Sequence, residues 1–116
     1  MLKSQTSVDV SIISQLPTGS TVDIEVIMPA GSKRLKTEFV GYMSGQYIIL
    51  NCPSAQRLGA ALDYVKEGTY VVVRAVLEQG DGQIIAFKSI IKAVTTHPTK
   101  LIFLFLPRAV QSYQLR

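Results

Sequence analysis

The sequence predicts an all-β domain, a barrel of six to seven mostly antiparallel strands with at most one short helix. Three observations predict it. Apolar and polar residues alternate over short segments. Glycine and proline turn signals separate those segments at hairpin spacing. The chain has 116 residues, 47% of them apolar, enough to fill one hydrophobic core without staples. A two-layer β structure would satisfy the same spacing, but a barrel also removes the exposed edges of such apolar strands.

The elements follow in order. Residues 1–15 read as an N-terminal arm, loose over Met1–Ser7, with Val8, Val10 and Ile12 alternating as a strand or an adapting arm would. Leu16-Pro17-Thr18-Gly19 is a turn signal. Thr21–Met28 places Val22, Ile24 and Val26 on one face and Asp23 and Glu25 on the other, the pattern of a half-buried strand. Pro29-Ala30-Gly31-Ser32 turns the chain into a returning strand with Leu35, Thr37 and Phe39. Gly41 allows a bend or bulge there. Ser44-Gly45 leads to a strand over Gln46–Asn51, whose run Tyr47-Ile48-Ile49-Leu50 suits a strand covered on both faces. In Pro53–Val65, Leu58, Ala61, Leu62 and Val65 fall at helical spacing and Ser54 is the N-cap candidate. Gly59 limits that helix to one or two turns. Valine-rich Thr69–Glu78, the turn Gly80-Asp81-Gly82, the long strand Gln83–Thr95, a break at His97-Pro98 and the strand Leu101–Leu106 complete the set. There is no internal repeat or low-complexity stretch.

Composition limits the function classes. A charged fraction of 17% argues against disorder. No segment approaches the roughly twenty apolar residues that span a bilayer. Met1–Asp9 is polar, with no apolar signal-peptide segment. Cys52 is the only cysteine, so no intramolecular disulfide can form. Together these point to a cytoplasmic protein. The net charge of +4 permits an anionic partner without requiring one. Only Lys33, Arg34 and Lys36 cluster; they are either solvated hairpin positions or a phosphate-facing patch.

Catalytic chemistry is poorly supplied. His97 is the only histidine and falls in a loop. One His and one Cys cannot build an ordinary zinc site within one chain. Cys52 reads as a small core residue. The glycines stand singly at turns, so no phosphate-binding loop is present. Phe87, Phe103 and Phe105 read as core, while Tyr42, Tyr47 and Tyr70 are candidates to face a ligand. A stacking platform for single strands needs aromatics among basic residues on one face, and Arg34, Lys36 and Tyr42 come nearest by parity if the strand runs unbroken through Gly41. Arg74, in "YVVVR", alternates opposite Val71 and Val73; it is placed to pair with Glu25 or Glu78, or to reach a ligand. The expectation is a non-enzyme.

The stretches "LPTGSTVDIEVIMPAG", "FVGYMSGQYIILNCP", "EGTYVVVRAVLEQGDGQIIAFKSII" and "LIFLFLPRAVQSYQLR" resemble, in order and spacing, the N-terminal domain of flagellar brake proteins of the YcgR type. That domain precedes a PilZ domain in receptors for cyclic di-GMP. The resemblance runs from about Leu16 to Arg116. It implies a split β-barrel over residues 16–107 and a linker stub toward PilZ over residues 108–116. It implies a regulatory module that packs against PilZ, in cis or in trans, and relays nucleotide binding to motility or biofilm outputs, through the flagellar motor or another protein. In this family the linker carries an Arg-x-x-x-Arg motif that clamps the phosphates, and PilZ adds Asp/Asn-x-Ser-x-x-Gly. Arg116 matches the first linker arginine, and neither the second arginine nor the PilZ motif is in the sequence. The candidate ligand residues are therefore Arg116, then Gln114 and Arg108, with Arg74 on the barrel. No cofactor is expected, and cyclic di-GMP is expected as a ligand of a full-length receptor rather than of this chain alone. The alternative is a stand-alone β-barrel that binds nucleic acid or a protein, or pairs with itself along a strand edge; nucleic acid is the less expected of these partners.

Overall fold

The computed structural model describes residues 5–78 and 82–114. Its strands are β1 (Gln5–Val8), β2 (Thr21–Met28), β3 (Gly31–Met43), β4 (Tyr47–Asn51), β5 (Tyr70–Leu77), β6 (Gln83–Thr95), β7 (Leu101–Phe105) and β8 (Val110–Gln114). All pairings are antiparallel. Six strands close a ring in the order β6-β5-β2-β3-β4-β7, with β7 returning to β6, and β8 and β1 extend outside it. The all-β barrel read from the strand spacing is present.

The hinge of this architecture is β6. It pairs with β5 from Gln83 to Ile90. Its other side is shared: β8 takes Gln83–Ala86 and β7 takes Ile91–Thr95. The β6–β7 register shifts between Ile91 and Ala93, which leaves Lys92 as the extra residue. A bulge of this kind bends a strand and raises its twist. The second shift lies between Phe39 and Gly41 on β3, where the sequence places a bend, and Val40 is the extra residue there.

Period-two alternation fills the interior. Val22, Ile24 and Val26 point inward from β2, Val71, Val73, Ala75 and Leu77 from β5, and Ile48 and Leu50 from β4. Buried polar groups are paired: Thr37 Oγ1 donates to the Asn51 carbonyl at 2.7 Å, Ser89 Oγ donates to the Phe105 carbonyl, and Ser112 Oγ receives Gln83 Nε2 at 2.8 Å.

One end is sealed by the short helix α1 (Ala55–Leu58) and a 3-10 helix over Gly59–Tyr64. Ser54 caps it as expected, its Oγ accepting the Arg57 amide at 3.3 Å. Leu58 and Ala61 pack on Val26 in a small second core. Leu62, expected on the same apolar face, is 39% exposed. The switch at Gly59 from 3.6 to three residues per turn changes which side chains share a face.

Two strands lie in segments that the sequence reading left outside the barrel. Gln5–Val8 pairs with Val110–Gln114, and the second of these pairs with β6. Between β1 and β2 a 3-10 helix, Val10–Gln15, drives Ile13 into the main core with Leu16 behind it. No described helix is long and apolar enough to cross a membrane.

Ile13 has no exposed surface, so Ile13→Ala is expected to lower stability by about 2–5 kcal/mol. A urea unfolding curve reads this directly. A change within about 0.5 kcal/mol would mean that residues before Leu16 are not part of the folded unit.

Candidate functional site

The outward face of the β3-β2-β5-β6-β8 sheet carries the chain's most organised polar groups. Alternation that sends Val22 and Ile24 inward sends Asp23 and Glu25 outward. The register places Lys36 opposite Asp23, Arg34 opposite Glu25, and Arg74 opposite Asp23 from the other side. Lys36 Nζ lies 3.0 Å from Asp23 Oδ1. Glu25 collects three partners: Ser32 Oγ donates to its Oε2 at 2.7 Å, Arg74 Nη1 donates to its Oε1 at 3.1 Å, and Arg34 Nη2 stands 3.8 Å from Oε1. The Ser32 hydrogen bond, then the Arg74 hydrogen bond and charge, hold the Glu25 carboxyl below its ordinary pKa. Pairs this accessible add little stability. What they do is fix where the Arg74 guanidinium sits.

Arg74 stands between two hollows. On the β2–β3 side a hollow of about 890 Å³ is lined by Asp23, Arg34, Lys36, Glu78 and, before β2, Gln15, Pro17 and Ser20. On the β6–β8 side a groove of about 740 Å³ has Val72, Ile84, Ala86, Phe87, Ala109 and Tyr113 as its apolar lining. Arg74, Lys88, Arg108 and Gln111 complete it. Its rows follow the register: Arg74 opposes Ala86, which opposes Gln111, and Ile84 opposes Tyr113. No carboxylate among the described residues lines this groove.

Of the residues singled out from the sequence, Arg74 and Arg108 are brought to this one groove although 34 positions apart in the chain. Arg74 also makes the expected pair with Glu25. Gln114 is exposed at the end of β8 opposite Gln83 and does not line the groove. Arg116 lies outside the described residues, as do Gly80 and Asp81 of the expected turn.

The basic cluster of the first hairpin divides. Arg34 and Lys36 point outward, while Lys33 opposes Val26 on the other face of β3. The expected face of Arg34, Lys36 and Tyr42 does not form. The extra residue at Val40 reverses the parity, so Tyr42 opposes Ile48 and packs on the core. Tyr47 meets Phe103 edge-on at 5.1 Å, and Tyr70 is 60% exposed. His97 is exposed in the β6–β7 connection. Cys52 packs against both cores, and burial pushes its thiol pKa up, the reverse of a reactive thiolate. No metal-ligating cluster occurs among the described residues.

Lys88, Gln111 and Tyr113 were not legible as site residues. Their only signal is parity: 111 and 113 share one face of β8, and 88 shares a face of β6 with 84 and 86.

The family model described as flagellar protein YcgR matches residues 17–107. The cyclic di-GMP binding protein VCA0042 of Vibrio cholerae is 26% identical over 107 residues, covering 90% of this chain and 41% of that protein. The inhibitor of motility MotI/DgrA of Bacillus subtilis superposes with a TM-score of 0.67 at 21% identity, over 87% of this chain and 47% of that one. An FAD-binding protein from Mycobacterium smegmatis superposes with a TM-score of 0.63 at 13% identity, over 97% of this chain and all (100%) of that one. The structural likenesses establish the fold. This chain spans less than half the length of the V. cholerae and B. subtilis proteins.

The lowered Glu25 pKa has a definite sign. A depressed carboxylate contributes stability that is fully present above its unfolded value, about pH 4.3, and is lost as pH falls through its folded value. Glu25→Gln is therefore expected to flatten the fall in stability below about pH 4.3. Urea midpoints measured from neutral to acid pH check this. An unchanged acid limb in the variant would show that Glu25 is not held by Ser32 and Arg74.

Proposed function

Since the chain belongs to the family of flagellar protein YcgR, whose model matches residues 17–107, we propose that it is the regulatory module of a cyclic di-GMP receptor of the flagellar brake type. The observation that carries this reading is that family match, joined to a relative that is itself a cyclic di-GMP binding protein. In this reading residues 16–107 form the responding barrel, and residues 108–116 lead toward a PilZ domain that holds most of the nucleotide. Arg116 is the first candidate for ligand contact, and Arg108 and Gln114 follow.

The geometry supports the same reading. β8 is the last described strand, and it flanks the groove that already gathers Arg74 and Arg108. A nucleotide held at the end of β8 would change what stands over that groove. The mechanism is then a population shift between domain arrangements, driven by the difference in nucleotide affinity between them. The module passes that shift to a protein of the motility apparatus and performs no reaction of its own. It works in the cytoplasm, where the nucleotide is.

Calorimetric titration of cyclic di-GMP into the 116-residue chain is expected to show no saturable heat. A chimera in which this chain replaces the matching segment of the V. cholerae protein is expected to bind the nucleotide and to change its scattering profile on binding. Tight binding by the chain alone, or a chimera that binds without any change in shape, overturns the reading.

A further inference from the structure

The outer surface of this sheet is divided. On the β2–β3 side it follows the usual rule for a sheet with one wet face, charged residues outward and paired with one another. On the β5–β6–β8 side it breaks that rule. Val72, Ile84, Ala86 and Tyr113 point outward and make an apolar floor. Around it stand three cations. Arg74 is held in place by Glu25, while Lys88 and Arg108 are exposed and make no ion pair among the described residues.

We propose that the groove bounded by Arg74, Lys88 and Arg108 is a docking surface for a protein segment that presents an apolar side chain flanked by carboxylates. The inference rests on charge complementarity and stands independently of the nucleotide reading. An apolar centre with arginine and tyrosine, rimmed by lysine, is the anatomy of a protein interface. The guanidinium fork of Arg108, together with that of Arg74, suits carboxylates, and no carboxylate among the described residues lines the groove. A partner carboxylate reaching Arg74 meets a guanidinium already oriented by Glu25, so less freedom is lost on binding. Nucleic acid fits the same surface poorly. Tyr113 is the one tyrosine among the described residues of the groove lining, and single strands are held by several stacked aromatics along a basic track.

The test uses the isotope-labelled 116-residue chain without nucleotide. The probe is a peptide of about twelve residues alternating leucine and glutamate, long enough when extended to cross the groove. A serine–glutamate peptide and a thymidine oligonucleotide of similar length are the comparisons. The leucine–glutamate peptide is expected to shift the amide signals of Val72, Arg74, Ile84, Ala86, Lys88 and Tyr113. Lys88→Glu with Arg108→Glu is expected to weaken it about tenfold or more. Lys66→Glu with Lys100→Glu, an equal charge change at exposed positions outside the groove lining, is expected to leave affinity within about twofold. The proposal is overturned if the peptide does not bind, or if the serine–glutamate peptide or the oligonucleotide binds the groove as well as it does. It is equally overturned if both charge-reversed variants weaken binding alike.

Discussion

Everything distinctive about this structure depends on one strand serving two neighbours along one edge. β6 spends its other edge on β5, so its first half is left to β8 and its second half to β7. The ring closes on the stretch of β6 where Lys92 is inserted and the strand bends. That bend also keeps β7 off the first half of β6 and leaves room for β8. Closing a small barrel requires a staggered register; here β7 closes the ring on Ile91–Thr95 of β6, and β8, outside the ring, takes Gln83–Ala86. The same arrangement brings Ile85 and Ile91, both without exposed surface, into one core from the two halves of a single strand. β1 then covers the free edge of β8, and a covered edge is one less template for unwanted pairing.

From this follows the groove. Gln111 and Tyr113 can extend the rows of Ala86 and Ile84 only because β8 has an edge of β6 to bind. Arg74 lies in the next strand over, in the same row as Ala86. Its position is then refined from the opposite side by Glu25, which Ser32 and Arg34 also engage. The charged half of the sheet thus orients a cation that belongs equally to the apolar half. Electrostatics acts here on direction more than on stability, as expected for pairs that water still reaches.

Much of the barrel was legible in the sequence. The bounds of Thr21–Met28 and Gln83–Thr95 are those of β2 and β6, because turn residues stood at both ends of each and period-two alternation ran unbroken through the first. The bend at Gly41 and the cap at Ser54 were legible because each is a local preference of one residue type. β8 was not, because its second buried position is Ser112, and a serine hides the alternation that Val110 begins. Its burial depends on Gln83, 29 positions away. Tyr42 would have shared a face with Arg34 and Lys36 only in a strand unbroken through Gly41, and the residue inserted at Val40 reverses the parity. Of the candidate site, Arg74 could be read as outward and pairable, and Arg108 entered only through the family resemblance. That they line one groove is a fact of topology, since two whole strands, β6 and β7, lie between them in the chain and β8 returns to pair with β6.

The ring itself says little about function. Its alternating valines, isoleucines and leucines meet only the demands of closure and packing, and the FAD-binding protein shares it at 13% identity. Function must therefore be sought in what the common barrel does not require. Closure does not need Arg108, because it lies beyond β7. Packing does not need Lys88, because it points away from the core. An inward-facing apolar row is explained by the barrel, but an outward-facing row of Val72, Ile84, Ala86 and Tyr113 beside three cations is not. These residues expose apolar surface and concentrate like charge, two arrangements that an isolated barrel has no reason to keep and that a partner surface would turn into binding.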